Sequence, residues 1–131
     1  MMRLSCRLRR VLALSVIVGT ISCTLRDKNR LRIEVVDSFD GRPLFNLVSR
    51  DGKAKLLVDR VIVEEVETGV WVCTLEVIST PTAEPMTWRY GQAVAGYRMN
   101  NCAVLSPGRY RVGATASGSI GVKEFVVGSP G

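Results

Sequence analysis

The sequence predicts an all-β domain, an antiparallel β-sandwich, preceded by an N-terminal signal segment. After residue 30, apolar and polar residues alternate with a period of two over several short stretches, as half-buried strands require. Clusters of Gly, Pro, Asp and Ser separate these stretches. The 131 residues are enough for one hydrophobic core but not for two. We therefore assign residues 31–131 to a single domain.

The first 22 residues have the organisation of a secretory signal. Four arginines within residues 1–10 are followed by the apolar run VLALSVIV at residues 11–18 and then by small residues. The uncharged stretch of 15 residues from 11 to 25 is too short to cross a hydrocarbon core of about 30 Å as a helix. A mitochondrial presequence is disfavoured because arginines and apolar residues occupy separate blocks instead of one amphipathic segment.

The stretch TISC at residues 20–23 resembles the lipobox of bacterial lipoproteins, in which a small residue precedes an acylated cysteine. The resemblance implies a signal peptide over residues 1–22, a lipid on Cys23 and a tether over residues 23–30. Thr24 stands where an Asp would imply retention in the inner membrane, so the resemblance implies the outer membrane, facing the periplasm. The alternative that stays open is an ordinary secretory signal, with Cys23 an unmodified thiol.

The basic excess of the chain belongs to this segment. The formal net charge is +6, from 18 basic and 12 acidic residues. Four of the 18 lie within residues 1–10, so the remaining 14 nearly balance the acidic residues. No basic stripe remains that would serve a nucleic acid. We expect contact with a membrane through the lipid anchor, an envelope protein as the possible partner, and no nucleic acid.

The first half of the domain is predicted as a series of short strands. Residues 31–36 alternate and end at a turn-rich cluster at 37–41. Residues 43–49 are predicted as an edge strand, because a proline is tolerated there. An Asp-Gly pair within residues 50–53 predicts a hairpin turn.

Two longer segments follow. A helix is conceivable over residues 55–67, but consecutive β-branched side chains at 61–63 favour a strand. Residues 70–79 alternate and are apolar on nearly both faces, which predicts a strand near the middle of a sheet. This alternation assigns Trp71 and Cys73 to the same, inward face.

The last third is predicted as a hairpin, with strands over residues 109–116 and 121–127. The pattern LSPGRYRV at residues 105–112, followed by FVV at 125–127, resembles the closing hairpin of immunoglobulin-like and transthyretin-like β-sandwiches in bacterial surface proteins. The resemblance implies a sandwich of one of these two types. It says little about function, since such folds carry many.

Two cysteines, Cys73 and Cys102, belong to the domain. An even pair in an oxidising compartment predicts a disulfide, and the alternative is two buried free thiols. The sequence has no His, and two thiolates are too few for tetrahedral zinc, so we expect no metal site and no cofactor.

The least regular part of the domain, residues 79–101, contains the candidate binding residues. It is long for a loop in a compact domain and rich in the residue types that interface cores favour. The candidates are Met86, Trp88, Tyr90, Tyr97 and Met99. The alternative, which the pattern favours, is a short strand over residues 87–90 with Trp88 and Tyr90 in the core.

We expect no enzyme. The absence of His excludes Ser-His-Asp and Cys-His catalysis, no phosphate-binding glycine loop occurs, and Glu64 and Glu65 would point to opposite faces of a strand. The expected function is that of a non-enzymatic envelope lipoprotein, a structural or protein-interaction module in the periplasm. The alternatives are a carbohydrate or small-ligand binding module that uses Trp88 and Tyr90, and an inhibitor or immunity-type lipoprotein that uses the long loop.

Overall fold

The computed structural model describes residues 30–38, 40–50 and 55–128. The signal segment, the lipidation site Cys23 and nearly all of the tether lie outside these residues, as does the Asp-Gly pair of the predicted turn at 50–53. In the described part, the chain is all-β and its strands form two antiparallel sheets. The predicted fold class is confirmed.

Nine strands are found in the described residues. They are β1 (Leu31–Asp37), β2 (Leu44–Ser49), β3 (Leu57–Glu65), β4 (Trp71–Val77), β5 (Thr82–Ala83), β6 (Met86–Arg89), β7 (Tyr97–Asn101), β8 (Gly108–Ala116) and β9 (Ser119–Val127). The small sheet has the order β1-β2-β6, and the large sheet has the order β7-β4-β3-β8-β9, with β5 paired to one end of β3. The predicted strand over residues 55–67, the central position of β4 and the closing hairpin β8–β9 are confirmed.

The prediction that residues 43–49 form an edge strand is wrong. Strand β2 lies in the middle of the small sheet, between β1 and β6. Pro43 precedes the strand, so its missing N–H removes no hydrogen bond from the sheet. Its carbonyl group accepts a hydrogen bond from the Tyr90 N–H at 2.9 Å, just after β6 ends. The side of β2 that was expected to be free is paired with β6, which belongs to the irregular segment 79–101.

Side chains from both sheets form one hydrophobic core. The rings of Phe45 on β2 and Phe125 on β9 meet edge to face, with 5.5 Å between centroids, and join the two sheets. Strand β1 passes so close to β9 that a Cβ atom at Gly121 would lie only 2.7 Å from the carbonyl oxygen of Leu31. Glycine at position 121 therefore allows the two sheets to approach at this corner.

The segment before β8 is held by a tyrosine corner. The hydroxyl group of Tyr110 donates a hydrogen bond to the carbonyl oxygen of Ser106 at 2.7 Å. The Tyr110 ring stacks on Phe125, with 5.8 Å between centroids. The turn that precedes β8 is thus attached to the core by the tyrosine of the LSPGRYRV pattern.

Candidate interaction surface

The structure does not place the five candidate binding residues on the surface. Trp88 has 1% of its surface exposed, Met86, Tyr90 and Tyr97 are also buried, and Met99 is partly buried against the core. The prediction of an exposed recognition surface at these residues is wrong. The alternative, a strand that fills the core, is confirmed: β6 pairs with β2, and the Trp88 ring lies 5.9 Å from that of Phe45.

The polar atoms of these aromatic side chains are used within the fold. Trp88 Nε1 donates a hydrogen bond to the Gln92 carbonyl at 2.8 Å, and the Tyr90 hydroxyl donates to the Ala103 carbonyl at 2.8 Å. The Tyr97 hydroxyl donates to a carbonyl of β3 at 2.6 Å and accepts from a backbone N–H of β5 at 2.7 Å. Burial, with a smaller contribution from the neighbouring Tyr110, raises the pKa of Tyr90 to about 12. The segment 79–101 is attached to the sheets by its aromatic residues.

Cys73 and Cys102 lie at disulfide distance, with 1.92 Å between the sulfur atoms and 4.3 Å between the Cα atoms. Their approach depends on backbone geometry at the end of β7. Asn101 and Cys102 both have positive φ angles, 65° and 73°, which turn the chain back toward β4. The Cys102 N–H then donates a hydrogen bond to the Val72 carbonyl at 3.0 Å. The predicted pairing is the one that this geometry allows.

Trp71 lies on the opposite face from the one predicted. Strands β3 and β4 pair regularly from Arg60 to Val63, which lies opposite Cys73, but the next residue, Glu64, pairs with Trp71. Val72 is therefore an extra residue, a β-bulge, and the side chains beyond it change face. Trp71 consequently shares the outer face of the large sheet with Glu64 and has 53% of its surface exposed.

The outer face of the large sheet is organised in three rows of side chains that run across the strands. The central row is uncharged and consists of Asn100, Thr74, Ile62, Gly113 and Val122. The row that we call the positive row contains the charged residues Arg98, Glu76 and Arg60. The row that we call the negative row consists of Trp71, Glu64, Arg111 and Glu124.

A shallow groove of about 320 Å³ occupies the middle of this outer face. Gly113 forms its floor because it has no side chain, and its neighbours across the strands, Ile62 and Val122, form the walls. Trp71 also lines the groove, and Val122 has 57% of its surface exposed. The groove can accept one aliphatic side chain of a partner and offers little polar surface at its centre.

The charged rows are already paired within the sheet. Arg111 contacts Glu64 at 3.1 Å and Glu124 at 3.0 Å, and these hydrogen bonds raise the pKa of its guanidinium group. In the positive row, Glu76 contacts Arg98 at 3.2 Å and Arg60 at 3.8 Å. Such exposed pairs contribute little stability, but they leave the two rows with opposite net charges of one unit each.

Sequence reasoning missed this surface for an identifiable reason. The bulge at Val72 reverses the alternation, and the apolar stretch VWVC contains no polar residue that would mark the reversal. A signal was present at Gly113, since a glycine inside a regular strand often marks a place that another molecule approaches closely. Its significance depends on Ile62 and Val122 being its neighbours, which the strand order decides.

Among residues 30–38, 40–50 and 55–128, no group of three or more His, Cys, Asp or Glu side chains is placed to hold a metal ion. The same residues contain no helix long and apolar enough to cross a membrane. Comparison of the chain with models of protein families finds no match, and comparison with curated protein sequences finds none either.

Proposed function

We propose that this chain is a non-enzymatic envelope lipoprotein whose domain binds another protein through the outer face of its large sheet. The observation that carries the proposal is the groove at Gly113, which is apolar at its centre, with the exposed side chains of Trp71 and Val122 beside it. Tryptophan is the residue type most enriched among those that dominate binding energies. An uncharged centre flanked by charged rows is also the usual anatomy of a protein interface.

The groove favours a protein partner over a sugar. The two aromatic residues first considered as a platform for sugar rings, Trp88 and Tyr90, are buried, and Trp71 is the one exposed indole beside the groove. The groove is instead lined by aliphatic side chains and by ion pairs that are already satisfied. A partner's apolar side chain can enter it without leaving a buried polar group unpaired.

The proposed location follows from the sequence. A lipid on Cys23 would anchor the domain to the outer membrane on its periplasmic side, and residues 24–30 would separate the domain from the bilayer. The tyrosine corner at Tyr110 supports an immunoglobulin-like type of sandwich, a scaffold whose faces and loops often bind other proteins. An oxidising compartment would also allow the bond between Cys73 and Cys102.

The binding proposal can be tested by crosslinking in intact cells of the native host. A photo-crosslinking amino acid at Val122 should capture a discrete protein, and Gly113→Val, which fills the groove, should abolish the product. The matched control is the same probe at Val36 on the small sheet, because its exposed fraction of 58% is close to the 57% of Val122. Equal products at both positions, or none at Val122, would contradict the proposal.

The anchor has its own test. Mass spectrometry of the mature protein should show the loss of residues 1–22 and acyl chains on Cys23. The Cys23→Ser variant should lack the lipid and leave the membrane fraction. A mature protein that retains Met1 and carries no lipid would contradict the proposed location.

A further inference from the structure

We propose that the protein bound by the outer face is a second copy of this chain. The two large sheets would pack face to face about a two-fold axis that runs parallel to the strands, between β3 and β8. This inference rests on the proposed function, because it names the partner of the same surface. Ile62 on β3 pairs with Gly113 on β8, and Glu64 on β3 pairs with Arg111 on β8, so the two members of each pair lie on opposite sides of that axis.

The shape of the central row is self-complementary about this axis. A two-fold interface brings residue i of one copy to residue j of the other, and j to i. Ile62 on β3 and Gly113 on β8 are direct cross-strand partners, equally far from the axis. Ile62 of each copy therefore lies over Gly113 of the other, and each aliphatic side chain enters a groove.

The charges agree with the same arrangement. Glu64 and Arg111 are also cross-strand partners, in contact at 3.1 Å, so Glu64 of each copy lies over Arg111 of the other. In the same row, Trp71 lies over Glu124, and in the positive row, Arg60 lies over the uncharged Thr115. No two like charges lie directly opposite each other in these pairs.

Shape distinguishes this axis from the other two-fold axis that would bring the faces together. An axis running across the strands, along the central row, would also pair opposite charges, because the positive row would face the negative row. It would place Ile62 against Ile62 and Gly113 against Gly113, so that two side chains collide and two grooves stay empty. Close packing favours the axis parallel to the strands.

The size of the face sets the expected affinity. Four strands spaced about 4.8 Å apart, with about six residues of about 3.3 Å each, give a contact area of about 400 Å² per copy. A standard stable interface buries about 800 Å² per partner, so we expect a weak dimer with a Kd between about 10 µM and 1 mM. Anchoring both copies to one membrane would raise their effective concentration and favour association.

Sedimentation equilibrium of the mature chain without its lipid, from about 10 µM to 2 mM, tests the proposal. The wild type should dimerise within the expected range, and Gly113→Val should weaken the dimer at least tenfold. The fold should survive this substitution, because a Cβ atom at Gly113 meets only a backbone oxygen at 3.9 Å. Adding Ile62→Ala to Gly113→Val should restore part of the association, since the side chain and the groove exchange places. Val36→Ala on the small sheet should change nothing.

The outcomes separate this inference from the proposed function. A chain that stays monomeric at 2 mM, while the Val122 probe captures a different protein in cells, overturns the second copy and leaves the binding function standing. A dimer that is indifferent to Gly113→Val also overturns the inference, because it uses another surface. A monomer with no specific crosslink at Val122 overturns both.

Discussion

Removal of the bond between Cys73 and Cys102 is expected to lower the free energy of unfolding substantially. The two cysteines are separated by 29 positions in the sequence. Closing a loop of this length in the unfolded chain corresponds, on the chain-entropy model, to about 3.5 kcal/mol of stability. A domain of this size has a total stability of about 5–15 kcal/mol, so the bond supplies a large fraction of it.

Urea unfolding of the oxidised wild type and of the Cys73→Ala/Cys102→Ala variant provides the measurement. With an m-value of about 1.5 kcal/mol/M, a loss of about 3.5 kcal/mol lowers the midpoint by about 2 M. The reduced wild type is the control, because it lacks the bond but keeps both sulfur atoms. It should unfold near the midpoint of the variant.

A decrease of less than about 1 kcal/mol in the free energy of unfolding on reduction would refute this expectation. Such a result would mean that the segment from β4 to the end of β7 remains ordered in the unfolded chain, or that its strand pairing holds the two ends together without the bond. If the variant unfolds while the reduced wild type stays folded, the lost stability comes from the packing of the two buried sulfur atoms and not from the bond between them.

Three further predictions concern the aromatic residues. The pKa of Tyr90 is raised from 10.0 to about 12, so the stability it contributes is complete below pH 10 and is lost as the pH rises toward 12. Urea unfolding measured from pH 10 to pH 12 should show the free energy of unfolding falling by about 2 kcal/mol, a loss that is absent in Tyr90→Phe. In Trp71→Phe the remaining Trp88 should give blue-shifted fluorescence that resists an aqueous quencher. In Trp88→Phe the remaining Trp71 should give red-shifted fluorescence that the quencher reduces. The opposite result would refute the burial described for the two tryptophans. Tyr110→Phe removes the short hydrogen bond to the Ser106 carbonyl and the longer contact with the Ser106 hydroxyl, and it should lower the free energy of unfolding in urea by about 1 kcal/mol. No measurable loss would mean that water satisfies the Ser106 groups at no cost.

Much of the strand content was predictable because it is local. The alternation in β8 and β9 comes from the period of two in side-chain direction, which no distant contact alters. The β-branched side chains at 61–63 likewise decided between helix and strand in β3. The pairing of Cys73 with Cys102 followed from counting, since these are the two cysteines of the domain.

The candidate site was not predictable in the same way. Trp88 and Tyr90 have the composition of an interface, but the same aromatic side chains also fill a core, and composition alone does not decide between the two. The decision came from β6, whose pairing with β2 turns Trp88 toward Phe45. Trp71 became exposed through a single extra residue, Val72, which left no mark on the apolar pattern.

The sequence by itself determined that the chain forms short antiparallel strands, where most of them lie, and which two cysteines can meet. These features depend on neighbours along the chain. Only the tertiary structure decided that β2 is central, that Trp88 is inside and Trp71 outside, and that Gly113 lies between Ile62 and Val122. These features depend on which strands become neighbours and where a bulge shifts their register, and both are set by contacts between residues far apart in the sequence.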